Sequence, residues 1–302
     1  MRETVKKSKS LRRYALIIFM LIICLSLVVF CSKRNDTPIN TAINNQGTAL
    51  ASNQNNPTAV SQSPTEQEDY IGNFWSTMME KANLPESLQD KLITRLMYSP
   101  DFVMELLTIF DGDPYLYILV DKQHALDRTY APRDLVQLKD GGSFRITRQD
   151  LSLRELAATS LESMSAAARV DNVILTAASS YRSYNYQVDL YARNVAELGE
   201  WEASRVSARP GHSQHQLGLI VDFYPIDDTF ADTAASAWLR QNASRYGWSI
   251  SYPQGYEEIT GYAYESWHYR YVGPELASFI DKYFDGIQQY ALQFIQAWIE
   301  EE

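Results

Sequence analysis

The sequence predicts an α+β fold. Hydrophobic residues make up 45% of the 302 positions and charged residues 21%, the balance of an ordinary globular protein. Aromatic residues reach 12%, with 20 tyrosines, which favours strands and an aromatic-lined groove over a plain helical bundle. Helical and strand patterns follow one another irregularly, without the regular succession that builds a parallel sheet. No internal repeat is visible.

The charge is unevenly distributed along the chain. The formal net charge is −10, yet positions 1–33 hold seven of the 27 basic residues and only one of the 37 acidic ones. The remainder therefore carries a net charge of −16. An acidic body excludes binding to nucleic acid or to an anionic membrane through bulk charge. Any anionic ligand must be held by a few placed arginines.

Residues 1–33 are predicted to be a signal or membrane anchor. A basic stretch ends at Arg13 and is followed by 18 uncharged residues from Tyr14 to Cys31. The basic flank predicts that the rest of the chain is exported and membrane-tethered. Lipidation at Cys31 and an uncleaved anchor both stay open, although Phe30 is larger than the residue that usually precedes a lipidated cysteine. Since Cys24 and Cys31 are the only cysteines, no disulfide is expected in the body.

Residues 34–68 are predicted to be a disordered linker because they are rich in Asn, Gln, Thr, Ser and Pro and poor in large apolar residues. Residues 69–112 are predicted to be a helical N-terminal extension, with helices separated at Pro85 and at Ser99-Pro100. Residues 113–302 are predicted to be the main domain, ending in helix.

Apolar spacing and turn residues predict the elements of that domain in order. Strands are predicted at Tyr115–Val120, Asn172–Ala178 and Trp248–Tyr252, and a loop at Asp121–Leu138. Helices are predicted at 149–169, at Tyr184–Leu198, at Thr233–Tyr246 and, with a break near Gly286, over 274–299.

Two short clusters carry the chemistry. Ser213–Asp222 places an imidazole, His215, seven residues before the carboxylate of Asp222, and Glu265–Arg270 adds His268 with Glu265 three residues before it. Two imidazoles, one carboxylate and a spare glutamate are the minimum set for a hydrolytic zinc site. We therefore expect the two histidines and Asp222 to bind Zn²⁺ and Glu265 to act as general base and then acid.

The other polar candidates are less specific. His124 is expected to be a structural histidine. His212 is expected to be a surface-loop histidine, while a role as a donor behind the metal ligands or as a hydrogen-bond donor to a tetrahedral intermediate stays open. Arg182 directly follows a predicted strand, where a guanidinium could hold a terminal carboxylate through two hydrogen bonds. Gln187, just over one helical turn later, could support it. A surface arginine remains the alternative for Arg182.

The motifs resemble those of the D-alanyl-D-alanine metallocarboxypeptidases of the VanY type. These belong to the LAS group, which also takes in lysostaphin and hedgehog domains. The resemblance rests on Ser180-Tyr181-Arg182-Ser183, on the S-x-H-x-x-G-x-x-x-D spacing within Pro210–Asp222, and on the E-x-W-H spacing within Glu265–Gly273. It covers about residues 115–280. Gln214, Leu217 and Ile220 depart from the residues common in the family without removing a candidate ligand or base.

This resemblance implies a small antiparallel sheet flanked by helices, as in hedgehog and D-Ala-D-Ala peptidase domains. It implies zinc ligands at His215, Asp222 and His268, a catalytic Glu265, and substrate contacts from Arg182, Gln187 and Ser213.

The implied substrate is the peptide stem of peptidoglycan, cut at its C-terminal D-alanine. Removal of D-alanine from a tetrapeptide stem by an L,D-carboxypeptidase stays open, as does cleavage within cross-links. A different class also stays open, namely a non-catalytic module that binds cell-wall peptide on the same fold. The sequence makes no prediction of oligomeric state.

Overall fold

The computed structural model describes residues 75–300. Its helices are α1 (75–81), α2 (Glu86–Tyr98), α3 (Pro100–Asp111), α4 (Glu155–Val170), α5 (Tyr184–Leu198), α6 (Glu200–Val206), α7 (Ala234–Asn242), α8 (Glu257–Thr260), α9 (Pro274–Tyr283) and α10 (Gln288–Glu300). Its strands are β1 (Leu135–Gln137), β2 (Arg145–Ile146), β3 (Ser152–Arg154), β4 (Thr176–Ser179), β5 (Ile220–Phe223), β6 (Trp248–Ile250) and β7 (His268–Tyr271).

A five-stranded sheet forms the centre of the fold, in the order β2-β4-β5-β7-β6. The β4–β5, β5–β7 and β6–β7 pairs are antiparallel, and the short β2 pairs with β4 in parallel. A separate antiparallel pair joins β1 to β3. The prediction of an α+β fold with a small antiparallel sheet flanked by helices is confirmed.

Most predicted helices form, because their end signals are local. The Ser183 side chain accepts a hydrogen bond from the Tyr186 amide (3.2 Å) at the start of α5, and Thr233 caps α7 in the same way. Pro274 opens α9, where its missing amide hydrogen is not needed. The predicted break near Gly286 separates α9 from α10.

The predicted strand at Tyr115–Val120 is wrong. Asp113 accepts a hydrogen bond from the Tyr115 amide (3.0 Å), and Pro114 follows it at the first helical position, so Pro114–Tyr117 form a 3-10 helix instead. The predicted loop at Asp121–Leu138 contains β1. Helix α4 begins at Glu155 rather than near 149, because the preceding residues pair with β1 as β3.

Two apolar clusters form the core. One is helical and combines α1, α2 and α3 with α9 and α10. The other lies between the sheet and α4, with Leu161, Phe223 and Trp248 among its buried residues. Because α1–α3 share one core with the C-terminal helices, the predicted extension packs directly on the end of the main domain. The boundary near residue 112 stays a prediction.

The predicted anchor (1–33) and linker (34–68) lie outside the described residues. Within residues 75–300, no helix combines the length and apolar character required to cross a bilayer.

Candidate metal centre and its cleft

Neighbouring strands bring two of the predicted ligands together. Asp222 on β5 pairs directly with His268 on β7, so their side chains leave the sheet on the same face. Ser179, at the end of β4, pairs with Asp222 on the other side. Asp222 and His268 are 46 positions apart in the sequence, and Ser179 and Asp222 are nearly as far apart.

His215 reaches the same place from a 3-10 helix, Gln214–Leu217, that ends at Gly218. Gly218 has φ +69°, and a Cβ there would lie 2.9 Å from Leu135 Cδ2 and 3.1 Å from Pro132 Cγ. Only glycine fits both the backbone conformation and the space. The turn at Gly218 therefore fixes how His215 and β5 meet.

The three side chains form one buried cluster. His215 Nε2 lies 3.2 Å from Asp222 Oδ2, and His268 Nδ1 lies 3.0 Å from Asp222 Oδ1. The candidate ligand atoms of the three residues all lie within 4.8 Å of one another. Two imidazole nitrogens and one carboxylate oxygen converging on a point are the donor set of a catalytic zinc site.

The far side of each imidazole is held by an oxygen. His215 Nδ1 donates to the Ser180 carbonyl at 2.6 Å. His268 Nε2 lies 3.4 Å from Gln214 Oε1, which also accepts a hydrogen bond from the Ser251 hydroxyl at 2.8 Å. Each ring then presents its other nitrogen, with a lone pair, to the cluster, the arrangement that zinc-binding histidines use.

Asp222 also fits a cation. Its Oδ1 atom is buried and makes no hydrogen bond of acceptable geometry, although His268 Nδ1 is 3.0 Å away. A buried carboxylate oxygen without a donor is costly in a folded protein. A metal ion bound to Oδ1 would remove that cost, so the residues present fit Zn²⁺.

Glu265 stands beside this cluster. Its Oε2 atom lies 3.2 Å from His268 Nδ1, and its side chain is 16% exposed, so it borders the cleft without being sealed from it. Its amide donates to the Tyr252 carbonyl at 3.0 Å, which fixes the backbone at this point. Burial raises the pKa of the Glu265 carboxyl, although His268 opposes that shift. A raised pKa suits a carboxylate that takes up and returns a proton.

Burial and Arg182 lower the pKa of His215 to about 4, so this ring is neutral at pH 7. Burial opposes ionisation of Asp222, yet the two histidines hold the pKa of its carboxyl well below the usual range. Burial also opposes protonation of His268, but its contacts with Asp222 and Glu265 raise its pKa to about 9.

Arg182 lies directly against Asp222. Its Nη2 atom is 2.9 Å from Asp222 Oδ2 and 2.8 Å from the Ser179 hydroxyl. The side chain remains 20% exposed and lines the cleft, as does Ser213. The guanidinium is therefore held by Asp222 and Ser179 and still reaches the space in front of the cluster.

Gln187 does not line the cleft. It is buried, and its Nε2 atom donates to the Ala208 carbonyl at 2.7 Å. Because Ala208 lines the cleft, Gln187 supports the cleft wall from behind. Its Oε1 atom has no hydrogen-bond partner among the described residues.

The cleft in front of the cluster has a volume of about 290 Å³. Its polar floor is formed by the cluster itself, and its walls also include six residues to which the sequence analysis assigns no role: Leu190, Asn194, Val206, Ile226, Tyr252 and Trp267. They come from α5, from α6 and from the segments flanking β5, β6 and β7. Only the three-dimensional arrangement shows them.

The remaining histidines lie outside the cleft. His212 Nδ1 donates to the Asp121 carbonyl at 2.8 Å, and His124 Nδ1 lies 2.8 Å from Asp121 Oδ1. Neither belongs to the cluster of candidate metal ligands.

Comparison with known proteins agrees with this geometry. The family model described as VanY, D-alanyl-D-alanine carboxypeptidase, matches residues 150–274. The Bacillus subtilis protein YodJ is 38% identical over 57% of this chain and 67% of its own length. A D-alanyl-D-alanine carboxypeptidase of Enterococcus faecalis is 34% identical over 56% of this chain and 62% of its own. The chain thus spans about two thirds of the length of these relatives.

A solved structure is similar over the same region. The LD-carboxypeptidase LdcB superposes with a TM-score of 0.50 at 38% identity, covering 56% of this chain and 85% of that one. The LdcB structure is described as revealing the molecular basis of peptidoglycan recognition.

Proposed function

The chain belongs to the VanY family of D-alanyl-D-alanine carboxypeptidases, and from that premise we propose that it is a zinc carboxypeptidase that removes the C-terminal D-alanine from peptidoglycan stem peptides. One observation carries the proposal: Glu265 lies beside a buried His215–Asp222–His268 cluster, at the mouth of a cleft. A module that only binds peptide requires the cluster or the cleft. Only a hydrolase also requires the carboxylate of Glu265 beside them.

His215, Asp222 and His268 would hold the zinc ion, each supplying one atom. When bound, Zn²⁺ polarises a carbonyl oxygen and lowers the pKa of water to about 7. Ser180 and Gln214 keep the two rings in the required orientation through their contacts with the far nitrogens.

Glu265 would accept the proton of the attacking water and deliver it to the nitrogen of the leaving amino acid. Its position at 3.2 Å from His268 keeps its carboxylate within one water of the cluster. The raised pKa makes the first transfer easier, because the carboxylate of a weaker acid takes up a proton more readily.

Arg182 would hold the terminal carboxylate of the peptide. Its guanidinium is oriented by Asp222 and Ser179 and retains open surface toward the cleft. Ser213 lines the same cleft and would add a hydroxyl contact. For Gln187 we propose a supporting role through the Ala208 segment rather than direct contact with substrate.

A second candidate is the L,D-carboxypeptidase reaction on tetrapeptide stems, which the similarity to LdcB favours. Both reactions release D-alanine and use the same groups, so the difference lies in the residue before the scissile bond. The D,D reaction is the first choice because the Enterococcus faecalis relative is a D-alanyl-D-alanine carboxypeptidase.

We further propose an extracytoplasmic location, with the body tethered through residues 1–33. Fractionation of the full chain and of a chain lacking those residues tests this. Recovery of both in the same soluble fraction would contradict tethering.

The activity is tested by incubating residues 69–302, loaded with zinc, with muropeptides that end in pentapeptide or tetrapeptide stems, and weighing the products. Loss of one D-alanine from pentapeptide supports the D,D reaction, and loss from tetrapeptide supports the L,D reaction. The matched control is Glu265→Gln, which keeps the shape of the side chain but cannot accept the proton. Equal release by this variant, or no release from either stem, would contradict an enzymatic function.

A further inference from the structure

A second, smaller pocket adjoins the catalytic cleft. Its volume is about 170 Å³, and it is lined by Lys122, Ser204, Ser207, Arg209, His212 and Tyr262. We call these six residues the basic pocket. Ser207 and Tyr262 also line the catalytic cleft, so the two spaces meet at these residues.

The basic pocket has two cations and no acidic lining residue, on a body that is otherwise acidic. The ammonium of Lys122 lies 4.9 Å from the centre of the Tyr262 ring and forms no ion pair with any of residues 75–300. Its aliphatic stem packs on Gly261, where an added Cβ would lie 2.9 Å from Lys122 Cδ. The stem is therefore held in place while the charge faces the pocket.

The nearby carboxylates are already engaged elsewhere. Glu200 pairs with Arg209 Nη2 at 2.8 Å, and the Tyr191 hydroxyl accepts a hydrogen bond from Arg209 Nε at 3.4 Å, which leaves Nη1 of that guanidinium available. Glu257 pairs with Arg205 at 2.6 Å. Burial and the positive charges of Arg209 and Arg205 lower the pKa of Lys122, with Glu257 opposing them. An added negative charge in the basic pocket would relieve this repulsion.

Neutral donors complete the pocket. Ser207 and Tyr262 are 9% and 3% exposed, and their hydroxyls make no hydrogen bond to the described part of the chain. Burial raises the pKa of the Tyr262 phenol, which keeps its proton available for donation. Two cations and two unpaired hydroxyls around one space are the groups that bind a carboxylate.

We propose that the basic pocket binds a carboxylate on the part of the stem peptide that lies N-terminal to the scissile bond, which we call the retained part. This inference rests on the proposed function and specifies its substrate. A carboxypeptidase releases a single amino acid from the C-terminus. The terminal carboxylate of that amino acid is assigned to Arg182. A second carboxylate near the cleft must therefore belong to the retained part, as a side-chain or unamidated α-carboxylate.

The test uses two peptides that differ only in whether this retained carboxylate is free or amidated. Binding to the zinc-loaded Glu265→Gln protein is measured by calorimetry, and D-alanine release by the unmodified protein is measured separately. We expect the free acid to bind about tenfold more tightly, the effect of one or two charge-assisted hydrogen bonds. The preference should shrink as salt is added, because both cations are accessible to solvent.

Lys122→Met and Arg209→Gln should each reduce the preference, mainly through KM, while kcat on the amidated peptide stays the same. Lys139→Met, at an exposed lysine that lines neither pocket, is the matched control and should keep the full preference. An unchanged preference in Lys122→Met and Arg209→Gln overturns the inference, as does equal binding of acid and amide by the unmodified protein. Equal weakening of both peptides also overturns it, since the pocket would then hold the terminal carboxylate.

The two failures are distinguishable. If D-alanine is released but acid and amide behave alike, only the inference fails. If the acid binds preferentially but neither peptide is cut, the proposed function fails.

Discussion

The four histidines of the chain contact two buried aspartates, and the contrast between those aspartates separates structure from chemistry. Asp121 is 7% exposed and Asp222 is 2% exposed. The side chain of Asp121 accepts hydrogen bonds from Gln123, His124 and Gln289, each at 2.8 Å, so both its oxygens are satisfied by the protein. Asp222 Oδ1 lacks such a donor. Both aspartates are buried, but of the two only Asp222 has a carboxylate oxygen available to bind a metal ion.

The surroundings differ in the same way. The Asp121 side chain joins the segment after the 3-10 helix Pro114–Tyr117 to α10 through Gln289. The backbone carbonyl of Asp121 accepts a hydrogen bond from His212. Asp121 therefore connects elements, and both of its side-chain oxygens accept hydrogen bonds from the protein. The Asp222 cluster directs two ring nitrogens to one point and has Glu265 alongside. A satisfied buried carboxylate therefore indicates a structural joint, and an unsatisfied one beside two histidines indicates a metal site.

The largest expected effect tests the chemical half of this contrast. Glu265→Gln should lower kcat by about 10²–10⁴-fold, the range for loss of a general acid–base group. Zinc content should stay at the unmodified level, since Glu265 is not one of the three candidate ligands. Steady-state kinetics and metal analysis on the same preparation check both. Loss of zinc together with activity would instead make Glu265 a ligand.

A smaller effect is expected behind the metal site. Gln214→Ala removes the oxygen that lies 3.4 Å from His268 Nε2, so the ring loses its orientation. Zinc affinity should fall about 10–100-fold, as for other groups that orient a metal-binding histidine. Competition with a chelator of known affinity measures it. Ser236→Ala, a buried serine on α7, is a control outside the cleft lining and should leave affinity unchanged.

Asp121→Asn should have the opposite profile. One oxygen becomes an amide nitrogen facing hydrogen-bond donors, so the free energy of unfolding should fall by about 1–3 kcal/mol. Zinc content should not change. Urea unfolding and metal analysis together test this, and loss of zinc without loss of stability would contradict a structural role.

Asp121 should also shape acid stability. Burial alone would raise its pKa, but hydrogen bonds from Gln123, His124 and Gln289 outweigh burial and lower the pKa. A carboxyl with a lowered folded-state pKa stabilises fully above its unfolded value, and the stability is lost as pH falls through the folded value. Asp121→Asn should therefore lose less stability than the unmodified protein between neutral pH and about pH 3. Parallel losses in thermal unfolding would contradict this assignment.

The smallest effect is expected at His124. Its side chain is 40% exposed, and its contact with Asp121 is open to solvent. His124→Ala should change the free energy of unfolding by at most about 1 kcal/mol and leave zinc binding intact. Urea unfolding checks it, and a loss of several kcal/mol would make the His124 contact essential to the joint.

The sequence predicted what depends on local spacing. Helix α5 has the predicted bounds Tyr184–Leu198, and the break near Gly286 occurs as expected, because caps and breakers act on neighbouring residues. The types and spacing of the residues, together with the motif resemblance, predict the ligand set, and His215, Asp222 and His268 do converge. The strand predicted at Tyr115–Val120 failed because an aspartate–proline turn signal outweighed the apolar pattern.

What the sequence could not predict depends on long-range contacts. The pairing of Asp222 with His268 follows from sheet register, and the contact between Gln214 and His268 follows from how a 3-10 helix packs on that sheet; no local pattern specifies either. The basic pocket combines Lys122, Arg209 and Tyr262 from three separate segments. The sequence around Tyr262 does not indicate a pocket residue, because a pocket residue need not belong to a motif.

The most direct test is the zinc content of three purified proteins: the unmodified chain, Asp222→Asn and Asp121→Asn. The contrast between the two aspartates predicts one zinc ion per chain for the unmodified protein and for Asp121→Asn, and none for Asp222→Asn. Zinc retained by Asp222→Asn, or lost by Asp121→Asn while it remains folded, would contradict the assignment of the Asp222 cluster as the metal centre.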